Sequence, residues 1–137
     1  MPAEPKTRPT DMAVADFIAA VENPRRRADA ETVQAMLGEV TGMEPVMWGP
    51  SIVGYRRYRG PSGDWPIIGF SPRKAQLVFY IMTGFAESGD LLARLGKHKA
   101  GGGCLYVNRL EDVDQTVLRE LAARSVAWMR AQHPFAD

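Results

Sequence analysis

Ser51-Ile-Val-Gly-Tyr-Arg-Arg-Tyr58, Pro66-Ile-Ile-Gly-Phe70 and Gln76-Leu-Val-Phe-Tyr-Ile-Met-Thr83 are three short runs rich in β-branched and aromatic residues. Between them lie Gly60-Pro61-Ser62-Gly63-Asp64 and Ser71-Pro72-Arg73-Lys74, both built of turn-forming residues. Connections this short leave no room for a parallel crossover, so the runs are expected to pair as an antiparallel meander.

Upstream of the meander the period changes to that of a helix. Val14, Phe17, Ile18 and Val21 fall at i, i+3, i+4 and i+7, with Thr10 or Asp11 as cap and Pro24 as the expected end. Val33, Met36, Leu37 and Val40 repeat the spacing in a second helix, expected to start at an Asp29 cap and stop at Gly42. Downstream, a short helix is predicted over Ser88–Leu95, with Leu91, Leu92 and Leu95 on its buried side. Gly101-Gly102-Gly103 then leads into a fourth strand, Cys104-Leu105-Tyr106-Val107-Asn108. From Asp114 onward Val117, Leu118, Leu121, Ser125, Trp128 and Met129 form one face of a long final helix. The predicted fold is α+β. An antiparallel sheet of four to five strands is flanked by an N-terminal helical hairpin and a long C-terminal helix. Residues 1–9, with three prolines, are expected to be a flexible lead-in to a single domain over 10–137.

The chain has 137 residues, 45% hydrophobic and 24% charged. A chain of this size buries roughly two-thirds of its unfolded surface, enough to fold without disulfides or structural metal. The single cysteine, Cys104, has no intrachain partner and excludes zinc sites built on paired cysteines. No long apolar run marks a signal or membrane-spanning segment, so the expected location is the cytoplasm, with no membrane partner.

Seventeen Lys plus Arg against 16 Asp plus Glu give a net charge of +1, which excludes a uniformly basic coat or an acidic tail. That sum hides an asymmetry. From Ser51 to Arg109 nine basic residues (Arg56, Arg57, Arg59, Arg73, Lys74, Arg94, Lys97, Lys99 and Arg109) face Asp64, Glu87 and Asp90, so this segment carries 9 − 3 = +6. The remainder carries 8 − 13 = −5. Clustered cations next to turns suit a phosphate or carboxylate ligand, and charges at strand edges also block edge-to-edge pairing. Two loops can supply the cations: Ser71-Pro72-Arg73-Lys74, and Lys97-His98-Lys99-Ala100-Gly101-Gly102-Gly103. The glycine run lacks the Walker order and precedes a strand, so it has no helix dipole to offer a nucleotide. Tyr55 and Tyr80 are the aromatics expected to line a cleft with these cations.

Catalytic patterns are sparse. His98 lies in a loop, His133 near the end of the last helix, and no Ser-His-Asp arrangement can be built from them. Cys104 opens a strand, where a packed thiol is the ordinary outcome; a nucleophile there requires activation by Lys97, His98 and Lys99. Asp11, Asp16, Glu22, Asp29, Glu31 and Glu39 give the helical half its acidity. Asp11 and Asp16, however, sit about 140° apart around a helix, so a solvated face is expected rather than a metal site. Nucleic acid is not an expected partner, because no recognised module pattern accompanies the basic segment.

As an ordered set, several motifs resemble the YdhG-like family of small domains. They run from Met47-Trp48-Gly49-Pro50 and Gly54-Tyr55 through Asp64-Trp65-Pro66, Gly69-Phe70-Ser71-Pro72-Arg73-Lys74 and Tyr80-Ile81-Met82. The set closes with Leu95-Gly96-Lys97-His98-Lys99, Cys104-Leu105-Tyr106 and Asp112-Val113-Asp114. The resemblance implies a compact cytosolic domain with helices flanking an antiparallel sheet. Some relatives are described as frataxin-like iron-binding proteins, a role that rests on an acidic helix surface.

The expected function is that of a non-enzymatic binding or accessory domain. Its basic, aromatic sheet face, around Tyr55, Arg56, Arg73, Lys74, Tyr80, Lys97 and Lys99, would receive an anionic small molecule or an acidic protein. No catalytic residue, metal or cofactor is assigned. The alternatives are iron delivery through the acidic helices and a small enzyme using Cys104 or His98.

Overall fold

The computed structural model of the chain describes residues 13–48, 51–55, 58–60, 63–74, 76–81, 89–101 and 104–132. Two helices open it, α1 (Val14–Ala19) and α2 (Pro24–Thr41). Strands β1 (Val46–Trp48) and β2 (Ile52–Tyr55) follow, then a hairpin of β3 (Tyr58–Gly60) and β4 (Gly63–Trp65), then β5 (Ile68–Pro72) and β6 (Leu77–Ile81). Helix α3 (Gly89–Leu95), strands β7 (Lys99–Gly101) and β8 (Cys104–Val107), a 3-10 turn (Leu110–Asp112) and α4 (Gln115–Gln132) complete it. The expected lead-in over 1–9 lies outside the described residues.

The fold is α+β, as the change of period implies, and all strand pairings are antiparallel. Among the described residues the main sheet has six strands in the order β1-β2-β5-β6-β8-β7, while β3 and β4 form a separate two-stranded ribbon. The sheet is thus wider than the four to five strands expected. Its two extra edges, β1 and β7, are three residues long, and β7 is Lys-Ala-Gly, exposed throughout and without a β-favouring residue. The run Ser51–Tyr58 also divides. Pairing of β2 with β5 ends at Tyr55↔Ile68, and from Tyr58 the chain pairs instead with β4.

The helix boundary differs for a reason that lies in two residues. Pro24 begins α2 rather than ending α1. Asn23 Oδ1 accepts from the amides of Arg25 at 2.9 Å and Arg26 at 3.1 Å, and proline at the first helical position gives up only an N–H that has no intrahelical partner. Asp29, the expected cap, lies in the second turn and accepts instead from Leu110 N at 3.2 Å. At the other end Gly42 takes the left-handed conformation (φ 69°) and its N–H reaches Gly38 O.

Cross-strand rows separate the two faces of the sheet. Met47, Val53, Phe70, Phe79 and Leu105 stand in register, as do Tyr55, Ile68 and Ile81; all are buried and join the helices in one core. Against them pack Val33, Met36 and Leu37 of α2 and Leu91 and Leu95 of α3. Helix α4 contributes Val117, Leu118, Leu121, Ala122, Val126 and Met129. Trp128 is not on that face: it is 45% exposed, while Ala122 and Val126 take the positions beside Ser125. Arg119 reaches Glu39 at 3.0 Å and Arg130 donates to Thr41 O at 2.6 Å, tying α4 to α2 at the helix end whose carbonyls attract cations.

The opposite face carries Trp48, Gly54, Gly69, Tyr80, Cys104 and Tyr106. Trp48 is buried across Gly54: a Cβ there would stand 2.7 Å from Trp48 Nε1 and 2.8 Å from Pro66 Cβ, so only glycine fits beneath the indole.

Candidate anion-binding site

One end of the sheet collects the cations. The row Pro72↔Leu77↔Val107 is the last in the ladder, and beyond it lie the turn Arg73-Lys74 and the segment Asn108-Arg109. The first turn of α2, carrying Arg25, Arg26 and Arg27 and no acid, arrives at the same end. Cations beside a helix N-terminus oppose the backbone dipole, so this turn is composed against its own helix's preference. Two of the three are spent on the fold or anchored by it. Arg27 Nε donates to Val21 O at 2.9 Å and closes the α1–α2 connection, while Arg26 Nη1 donates to Asn108 O at 2.7 Å and anchors the helix to the end of β8.

A cleft of about 730 Å³ opens between this turn and the sheet. Arg26 lines it from the helix and Arg73 and Lys74 from the β5–β6 turn; Phe17, Val21 and Pro72 supply an apolar wall, and Glu22 is its acid. The turn is held by Arg73 N, which donates to Ser71 O and to Gln76 O at 3.0 Å each. Arg73 Nη2 donates to Tyr80 Oη at 2.7 Å, which orients the guanidinium along the face opposite the helices. Burial pulls the Arg26 guanidinium below its ordinary value, against the opposing pull of Asp29. Its Nε is shielded from solvent and has no acceptor among the described residues. The charge is therefore partly desolvated, with one of its donors left without an acceptor.

The seven expected site residues do not converge. Arg73 and Lys74 line the cleft, and Tyr80 touches Arg73. Tyr55 does not belong to the exposed face: it is fully buried on the helix side and donates to Gln34 O at 2.8 Å, because its row is that of Ile68 and Ile81. Burial pushes its hydroxyl well above the ordinary value. Lys99 pairs with Tyr106 on β7, three strand spacings from β5 or about 14 Å. Lys97 lies beyond α3, its amide donating to Asp112 O at 3.2 Å; neither lysine lines the cleft. Arg56 lies outside the described residues.

Arg26 escaped the sequence reading, since Pro24 reads as a helix end. The signal was present in Asn23-Pro24, a cap residue before a proline, which places the following arginines in a first turn.

Cys104 and His98 have separate hydrogen-bond partners. Cys104 is half-buried opposite Tyr80, and hydrogen bonding with Cys104 holds the Tyr106 hydroxyl above its ordinary range. The ring Nδ1 of His98 is engaged by Gly96 O at 2.7 Å within its own loop. Among the described residues no three His, Cys, Asp or Glu side chains gather as metal ligands, and no helix is long and apolar enough to cross a membrane.

Comparison with protein-family models, with curated proteins and with solved structures finds no match for this chain.

Proposed function

We propose that this chain is a cytosolic, non-enzymatic binding or accessory domain of YdhG-like type, and that the cleft between the first turn of α2 and the β5–β6 turn receives an anionic small molecule. The observation that carries this reading is the meeting of Arg26, Arg73 and Lys74 in one cleft with an apolar wall. The Arg26 guanidinium and the Lys74 ammonium offer charge-assisted hydrogen bonds to phosphate or carboxylate oxygens, and Arg73 joins them when its guanidinium leaves Tyr80 Oη, while Phe17, Val21 and Pro72 suit a less polar body on the same ligand. The site is an adjusted form of the basic aromatic face. Tyr80 enters it as the partner that orients Arg73, and Tyr55 leaves it. Iron delivery and thiol or imidazole catalysis draw no support from the described residues, where carboxylates such as Glu39 are paired with arginine and His98 is tied to its loop.

Thermal-shift titration with phosphate-bearing metabolites tests the reading. Wild-type protein is expected to rise in Tm with a saturating dose response, and R73E/K74E is expected to abolish it while unfolding at about the wild-type temperature without ligand. If no anion shifts the wild type, or the charge-reversed variant responds equally, the reading fails.

A further inference from the structure

Beside the cleft lies a second one, of about 550 Å³, lined by Asn23, Arg25, Arg26, Asp29, Asn108 and Arg109. Arg26 borders both. Two of its lining arginines share one carboxylate oxygen from outside the lining: Glu111 Oε1 lies 3.2 Å from Arg25 Nη1 and 3.2 Å from Arg109 Nη1. Two guanidinium groups from different elements, one on α2 and one after β8, thus converge on a single anionic oxygen. All three side chains are more than half exposed, so the pairing is weak and readily exchanged for another oxyanion. Glu111 is the replaceable acid here, because Asp29 is committed to the amide of Leu110. Across the two clefts Arg25, Arg26, Arg73, Lys74 and Arg109 stand against Glu22, Asp29 and Glu111, an excess of 5 − 3 = +2.

We infer that the second cleft receives a second anionic group of the same ligand. The ligand class is then a small molecule with two neighbouring phosphoryl groups: one lies between Arg26, Arg73 and Lys74, and the other displaces Glu111 from Arg25 and Arg109. This rests on the anion-binding reading for the first group, whereas the arginine pair around Glu111 is an independent observation. Inorganic phosphate, with one phosphoryl group, engages the first cleft, because Glu111 holds the arginines of the second. A diphosphate engages both, with Arg26 between its halves.

Calorimetric titration of the full chain with inorganic phosphate and with pyrophosphate, at matched ionic strength, decides between them. Pyrophosphate is expected to bind at least about tenfold more tightly than phosphate, the gain of a further set of charge-assisted hydrogen bonds. R109E should bring pyrophosphate down to the phosphate level and leave phosphate binding unchanged. E111Q, a change at an exposed carboxylate, should tighten pyrophosphate binding by freeing both guanidinium groups, and by more than it tightens phosphate. Equal binding of the two anions by wild type, or R109E and E111Q without effect on pyrophosphate, overturns the inference and leaves the first cleft standing. If pyrophosphate binds, is lost in R109E and is indifferent to R73E/K74E, the second cleft is the anion site and the role of the first is what falls.

Discussion

The centre of the sheet and its basic end are built from the same strands and obey opposite rules. In the centre, Val53, Phe70, Phe79 and Leu105 stand in one cross-strand row, and each is at most 2% exposed. Two residues past the end of that ladder the side chains are Arg73 and Lys74, both exposed, beside Arg26, whose charge is partly desolvated without a full complement of acceptors. The centre lowers free energy by removing apolar surface from water. The end holds charge against the helix's own preference, since three arginines in the first turn oppose its dipole, and only Arg26 and Arg27 return part of that cost through bonds to Asn108 O and Val21 O. Side chains that carry stability and side chains available for binding are thereby separated in space, and substitutions should separate the two properties as well.

The largest expected effect is in the centre. Phe79→Ala removes a ring packed between Phe70 and Leu105 and should cost roughly 3–5 kcal/mol, read as a lower denaturant midpoint in chemical unfolding. The fraction that remains folded should bind anions as wild type does. A loss of stability under 1 kcal/mol would mean that the row is not the core it is described to be; a specific loss of binding would mean that centre and end are coupled.

Tyr55 sharpens the same boundary, because sequence reasoning assigned it to the binding face and register assigns it to the core. Tyr55→Phe keeps the ring and removes the hydrogen bond to Gln34 O, at a cost of about 0.5–1.5 kcal/mol near neutral pH. The pH dependence is more diagnostic. The hydroxyl's folded value is raised above its ordinary 10.0, so the folded state keeps a proton that the unfolded chain releases. Stability from this group is therefore complete below pH 10 and declines as pH climbs beyond it. Tyr55→Phe should flatten that alkaline decline and leave anion binding intact; an unchanged alkaline limb, or weakened binding, would return Tyr55 to the surface.

What was legible in the sequence follows the same division. Helix α4 can be read from the spacing of Val117, Leu118 and Leu121, whereas β5, β6 and β8 are read as short β-rich runs beside turn formers, since Leu77-Val-Phe-Tyr-Ile81 is apolar throughout and buried at four of its five positions. Edges carry no such mark: β7 is three exposed residues, and its pairing with β8 depends on a partner and not on its own composition. The binding end was half legible. Arg73 and Lys74 stand out in a turn, but their companion Arg26 lies 47 positions earlier (73 − 26) and meets them only because Asn23 and Pro24 start α2 at that end of the sheet. A sum of charges along the chain cannot register such a meeting. It placed Arg26 in the acidic half and Lys99 in the basic one, while the fold puts Arg26 in the cleft and Lys99 outside it.

The smallest effect tests an aromatic side chain on the wrong side of this line. Period counting puts Trp128 on the buried face of α4, three positions after Ser125 and seven after Leu121. Helix positions 121, 122, 125, 126 and 129 already fill a face wide enough for the sheet, and Trp128 falls past its edge at 45% exposure. If burial, not residue type, sets the cost, Trp128→Ser should shift unfolding free energy by no more than about 0.5 kcal/mol, far below the several kcal/mol expected of a core tryptophan. Trp48→Ala is the matched control, since that indole is 1% exposed and lies over Gly54. Equal destabilisation by the two would show that Trp128 is covered in solution, and its surface would then belong with the centre of the molecule rather than with its rim.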